Sequence, residues 1–120
     1  MSQYVDGFVV PLPKKNLAAY RSMARKAGKL WIEHGALAVR ECVADDVKPG
    51  KLTSFPQSVL MKDDETVVFS WIVYTSRKAR DRVNAKVMAD PRMAKLMKTG
   101  SEVFDGKRLI HGGFKGIVEL

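Results

Sequence analysis

Three side chains in this sequence are of the right type to move protons: Asp6, His34 and Glu41. A carboxylate or an imidazole serves as a general acid or base near neutral pH when burial and neighbours shift its pKa toward 7. All three are therefore candidate catalytic residues, provided the fold encloses them. The aromatic residues Phe8, Trp31, Trp71 and Tyr74 are of the type that walls a site for a planar organic molecule. The same residues also have a plainer reading. Trp31, Trp71 and Phe69 would be core, and Asp6 and Glu41 would pair with Arg40, Arg108 or backbone amides. The residues alone leave both readings open.

Other chemistries find little footing. His34 and His111 are the only histidines, far apart and in neither HxxxH nor HxH spacing, so no metal site is expected. The single cysteine, Cys42, excludes an internal disulfide and a cysteine-based metal cluster, and its alternating apolar surroundings suit a small core residue. The sequence contains no GxGxxG, no GxxxxGK[ST] and no GxSxG, so nucleotide-fingerprint and serine-hydrolase readings have no support, and no cofactor is expected.

The elements that must position these residues are organised around Thr66 to Ser76, TVVFSWIVYTS. This run is β-prone and nearly all apolar, as a strand covered on both faces would be. Val67, Phe69, Trp71 and Val73 should point one way, and Val68, Ser70, Ile72 and Tyr74 the other. Before it, Tyr4 to Leu12 reads as a first strand interrupted by Gly7 and closed by Pro11 and Pro13. A helix follows from about Lys14 or Asn16 to His34, with Leu17, Tyr20, Ala24, Ala27 and Trp31 on its inner stripe and Gly35 as its stop. A second strand spans Ala36 to Val47, with Glu41 on the face of Leu37, Val39 and Val43. Lys51 to Met61 fits either a short helix or an irregular strand. After the organising strand come a helix from Arg77 to about Ala89 and a shorter one from Asp90-Pro91 to Lys98, with Gly100 as its stop. The last strand is Leu109 to Val118, where Gly112-Gly113 implies a bulge or a close approach.

This order, βαββαβ with an extra short helix, predicts a ferredoxin-like α+β domain: one antiparallel sheet with the helices on one face. The chain of 120 residues makes one domain, residues 1–120. The other sheet face would be apolar and open, and a two-fold homodimer packed sheet to sheet is the simplest way to bury it. No apolar run approaches the ~20 residues of a membrane span. The N-terminal charges follow its apolar run and do not precede it, so a soluble cytoplasmic protein without membrane contact is expected.

The net charge of +8 is localised. Residues 14–34 hold six basic residues against Glu33, and residues 77–98 hold eight against Asp81 and Asp90. Such helices could grip nucleic-acid phosphate or another polyanion, although they lack interleaved aromatics and a helix-turn-helix signature. Solvated outer faces explain the same charges.

YVDGFV (Tyr4 to Val9), AYRSMA (Ala19 to Ala24), GAL (Gly35 to Leu37), ECVADDV (Glu41 to Val47), VVFSWI (Val67 to Ile72), DPRM (Asp90 to Met93) and FDGKRLIHGGF (Phe104 to Phe114) together resemble the YbaA-like domain-of-unknown-function family. That resemblance implies the dimeric α+β barrel superfamily, in which two ferredoxin-like protomers assemble. Its members include cofactor-free monooxygenases, haem-degrading enzymes and proteins without known activity, so no single reaction follows. It also implies a ligand pocket between helices and sheet, to which Asp6, Phe8, Trp31, His34, Glu41 and either Trp71 or Tyr74 could contribute. His111 stands where the family commonly has a tyrosine, and it is a further ligand-binding candidate. The expected function is a homodimer that binds or transforms a small organic molecule. The alternative is a non-catalytic module that binds a polyanion through the basic helices.

Overall fold

A computed structural model describes residues 2–120. The elements are β1 (Tyr4–Pro13), a 3-10 turn (Lys14–Asn16), α1 (Leu17–His34), β2 (Ala38–Val43), α2 (Phe55–Ser58), β3 (Glu65–Tyr74), α3 (Arg77–Met88), α4 (Pro91–Val103) and β4 (Ile110–Lys115). The four strands form one antiparallel sheet in the order β2-β3-β1-β4. This is the ferredoxin-like arrangement, with the one-turn α2 and the longer α4 added to it.

The two faces of β3 separate as its alternation predicts. Val68, Ser70, Ile72 and Tyr74 are buried under the helices, opposite Val10, Phe8, Asp6 and Tyr4 of β1. Two apolar clusters fill this side. One joins Leu30, Ile72, Tyr74, Val83, Val87 and Met93; the other joins Val10, Leu12, Tyr20, Ala24, Val68 and Val103. α1 packs between α3 and α4 and ends at Gly35, whose φ of 123° is a conformation that side chains with a Cβ resist. Ser76 and Asp90 cap α3 and α4 by accepting from the Ala79 and Arg92 backbone N–H groups.

Several boundaries depart from the sequence reading. Gly7 does not interrupt β1, and the strand runs through Pro11 to Pro13. β4 pairs only with Tyr4 to Val9, so at Pro11 that side of β1 is a free edge, where a missing N–H costs least. β2 and β4 are each shorter than expected. Gly100 does not stop α4, which continues to Val103; the glycine leaves room for Met23, whose sulfur would lie 3.1 Å from a Cβ placed there. Nor do Gly112 and Gly113 form a bulge, because the pairing with β1 is continuous. Aromatic rings lie close over both glycines, Phe114 over Gly112 and Tyr4 over Gly113.

The open face is also less open than expected. The ambiguous stretch before β3 forms α2 and folds back across one end of the sheet. There Val59 is buried against Val9 and Val67, with Ala44 and Met61 alongside. Phe55 meets Phe69 edge to face at 5.7 Å. Leu60 takes a positive φ of 51°, and its carbonyl accepts from Arg108 Nη1 at 3.0 Å. The uncovered remainder includes Phe69, Ile110 and Phe114, which are 44%, 45% and 64% exposed.

Candidate functional site

The sequence-predicted residues are distributed over several places. Asp6 lies under the helices opposite Ile72 and is only 6% exposed. It accepts from Arg80 Nη1 at 2.6 Å and from the Tyr74 hydroxyl at 3.1 Å. The Arg80 guanidinium lies 4.9 Å from the centre of the Tyr4 ring. Burial, followed by the Asp6 charge, pushes the Tyr74 hydroxyl above the ordinary tyrosine range, so it serves as a proton donor in a hydrogen bond. The Asp6 carboxylate is thus committed to a structural ion pair, through Arg80 of α3 and neither Arg40 nor Arg108. Trp31 packs against the same apolar cluster and donates its indole N–H to Asn84 at 3.2 Å.

Glu41 follows a different course. It shares the helix-side face with Ser70 and accepts from the buried Tyr20 hydroxyl at 2.7 Å. Although the residue as a whole is exposed at the sheet edge, desolvation raises its carboxyl pKa despite hydrogen bonds from Tyr20 and Ser70. Burial and the Glu41 charge likewise raise Tyr20. Glu41 therefore differs from Asp6 in that its carboxyl meets hydroxyl donors, Tyr20 and Ser70, in place of a guanidinium.

His34 belongs to a junction between helices. Its Nε2 lies 2.9 Å from Asp90 Oδ2, and Arg92 bonds both Asp90 and Glu33. Hydrogen bonds from Arg92 and then His34 hold the Asp90 carboxyl well below the usual range. Glu33, His34 and Asp90 offer ligand atoms within 4.8 Å of one another. Arg92 stands among them, so this constellation works as an ion-paired clasp joining the end of α1 to the start of α4. Phe8 and His111 stack at 5.9 Å between β1 and β4. Trp71 lies on the opposite sheet face, beside Phe69 at 5.5 Å, and shares no site with Tyr74.

A largely apolar groove lies elsewhere. It has a volume of about 560 Å³ and runs between α1, α4 and the loop leading to β4. Met23 and Ala27 line it from α1, Met93, Leu96, Met97 and Gly100 from α4, and Phe104 and Leu109 from the segment that follows α4. Its size falls within the roughly 300–1,000 Å³ usual for small-molecule sites. Phe104 also meets the Tyr20 ring edge to face at 5.8 Å, so the Tyr20–Glu41 pair stands directly behind the groove lining. No motif in the sequence marks this groove. The available signal was the helical spacing of Met93, Leu96, Met97 and Gly100 along α4. A second cavity of about 500 Å³ lies beside Tyr4, Ser76, Arg77 and Lys115.

The model of a family described as "Protein of unknown function (DUF1428)" matches residues 3–106. The chain is 50% identical over 117 residues to the uncharacterized protein YbaA of Escherichia coli strain K12, covering 98% of each sequence. Among solved structures, SnoaB, a cofactor-independent oxygenase from Streptomyces nogalater, superposes with a TM-score of 0.66 at 14% identity, covering 100% of this chain and 98% of that one. A dimeric ferredoxin-like protein from an uncultured marine organism gives 0.64 at 9% identity, with both chains covered completely.

Proposed function

The chain belongs to the DUF1428 family of proteins of unknown function, and on that footing we propose that it is a homodimer binding a small, largely apolar organic molecule in the α1–α4 groove of each protomer. The observation that carries this reading is the groove itself, a largely apolar surface groove lined by three methionines and Phe104 among others. Methionine's flexible, polarisable side chain adapts to bound apolar groups, especially aromatic ones. Of the candidate acid–base groups, Glu41 has the best claim to a role, since Tyr20 connects it to the groove wall and its pKa is raised. Asp6 and His34 hold the scaffold in this proposal. The likeness to the cofactor-independent oxygenase supports the scaffold's suitability for small-molecule chemistry and specifies no reaction.

The second copy would cover the uncovered sheet face around Phe69, Trp71, Ile110 and Phe114, a reading supported by the dimeric ferredoxin-like neighbour. Substituting Ala27→Phe fills the groove from α1. An environment-sensitive apolar dye should bind the wild-type protein saturably and lose at least tenfold in affinity to this variant, with the melting temperature retained. Equal dye binding by both proteins would contradict the proposal.

One observation favours a second reading. Arg21, Arg25 and Lys29 on α1, and Lys78, Arg82 and Lys86 on α3, recur every four residues and are exposed. They take part in no salt bridge among the described residues. Such rows suit non-specific polyanion binding, which should weaken steeply as salt rises; a salt-independent oligonucleotide affinity would exclude it.

A further inference from the structure

The groove is apolar along its walls and polar at one rim, where Ser101, Asp105, Gly106 and Lys107 approach it. These rim groups differ in whether their bonding capacity is already used. Asp105 Oδ1 accepts from the Lys107 backbone N–H at 2.9 Å, and Oδ2 accepts from Arg108 Nε at 2.9 Å. Arg108 is in turn held by Glu65 at 2.8 and 2.6 Å. The Ser101 hydroxyl donates to the Lys98 carbonyl at 2.9 Å. The Lys107 ammonium alone has neither an ion pair nor a hydrogen bond among the described residues, while its backbone is fixed by the turn that Asp105 closes.

Resting on the groove as the binding site, we infer that its ligand is an amphipathic carboxylate: an apolar body between α1 and α4, with its anionic end paired to Lys107. A neutral end could accept a hydrogen bond from the ammonium but would leave its charge uncompensated. A cationic end would meet the Lys107 charge and find the Asp105 oxygens engaged. A carboxylate accepts charge-assisted hydrogen bonds from the ammonium, and the adjoining apolar wall shields that pair from water on one side. The groove thus recognises a body by shape and an end by charge.

The test uses two matched fluorescent probes on the full chain, naphthoate and its neutral counterpart naphthalenemethanol. Wild-type protein should bind naphthoate at least about tenfold more tightly, and Lys107→Gln should bring the two probes within about twofold. Arg82→Gln removes a charge on α3, away from the groove, and should keep the preference. Equal binding of both probes by the wild type would overturn the carboxylate assignment and leave the groove standing. A preference that survives Lys107→Gln would overturn the role of Lys107. A preference lost equally in Arg82→Gln would reduce it to the overall positive charge. Failure of both probes to bind would overturn the assignment and the groove together.

Discussion

At the scale of single residues, the carboxylates show how far chemistry can be read from residue type. Asp6, Glu41 and Glu65 are all acidic groups near strands, yet their surroundings separate them. Asp6 is paired with Arg80, and Glu65 with Arg108; Glu41 receives only the Tyr20 hydroxyl and Ser70. The sequence made Asp6 and Glu41 equivalent candidates because it did not reveal that Arg80, 74 positions away, reaches Asp6. The resulting pH dependences run in opposite directions. The Arg108 hydrogen bond lowers the folded-state pKa of Glu65 below its ordinary 4.5. Its stabilising contribution is therefore present above that value and is lost as pH falls through the lower folded value. Glu41 is raised, so its contribution is present below 4.5 and is lost as pH climbs through the raised value. Urea unfolding of Glu65→Gln should show a stability deficit at pH 7 that narrows below about pH 4. Glu41→Gln should compare more favourably with wild type at pH 7 than at pH 4. Deficits that do not change with pH would contradict both assignments.

At the scale of elements, β3 was the most legible, because its apolar alternation specified both faces and the structure keeps that division. Helix α4 was the least legible. A glycine after a short apolar pattern reads as a stop signal, but Gly100 lies inside a helix that continues for three more residues. Its role comes from packing against Met23 of α1, and local sequence does not encode that. Glycine in a helix interior costs about 1 kcal/mol relative to alanine. Gly100→Ala should raise stability by up to about 1 kcal/mol, because the flexible Met23 side chain can yield. The same change should weaken binding of an apolar dye, since Met23 is displaced within the groove. A destabilised variant with unchanged dye affinity would show that Gly100 serves helix packing alone.

At the scale of the whole molecule, the ferredoxin-like topology was legible from element order, and the strand order β2-β3-β1-β4 follows it. The partial cap over the second sheet face was not legible, because residues 55–61 carry turn, helix and strand signals together. The candidate pocket was also missed. Expected residues fell on α1 and on two faces of one sheet, and the lining came from another stretch of α1, from α4 and from the loop after it. The remaining apolar face gives a direct expectation for assembly: native mass spectrometry should find wild-type protein as a dimer and Phe114→Asp as a folded monomer. A wild-type monomer would contradict the proposed covering of that face.

The methionines allow the central claim, a ligand groove between α1 and α4, to be tested in one experiment. Met23, Met93 and Met97 line the groove, Met61 packs beside the cap on the other sheet face, and Met88 is exposed at the end of α3. Methyl NMR of methionine-labelled protein titrated with naphthoate should shift Met23, Met93 and Met97 saturably and leave Met61 and Met88 in place. Saturable shifts at Met61 or Met88 with the groove methionines unmoved, or no saturable shift at all, would contradict it.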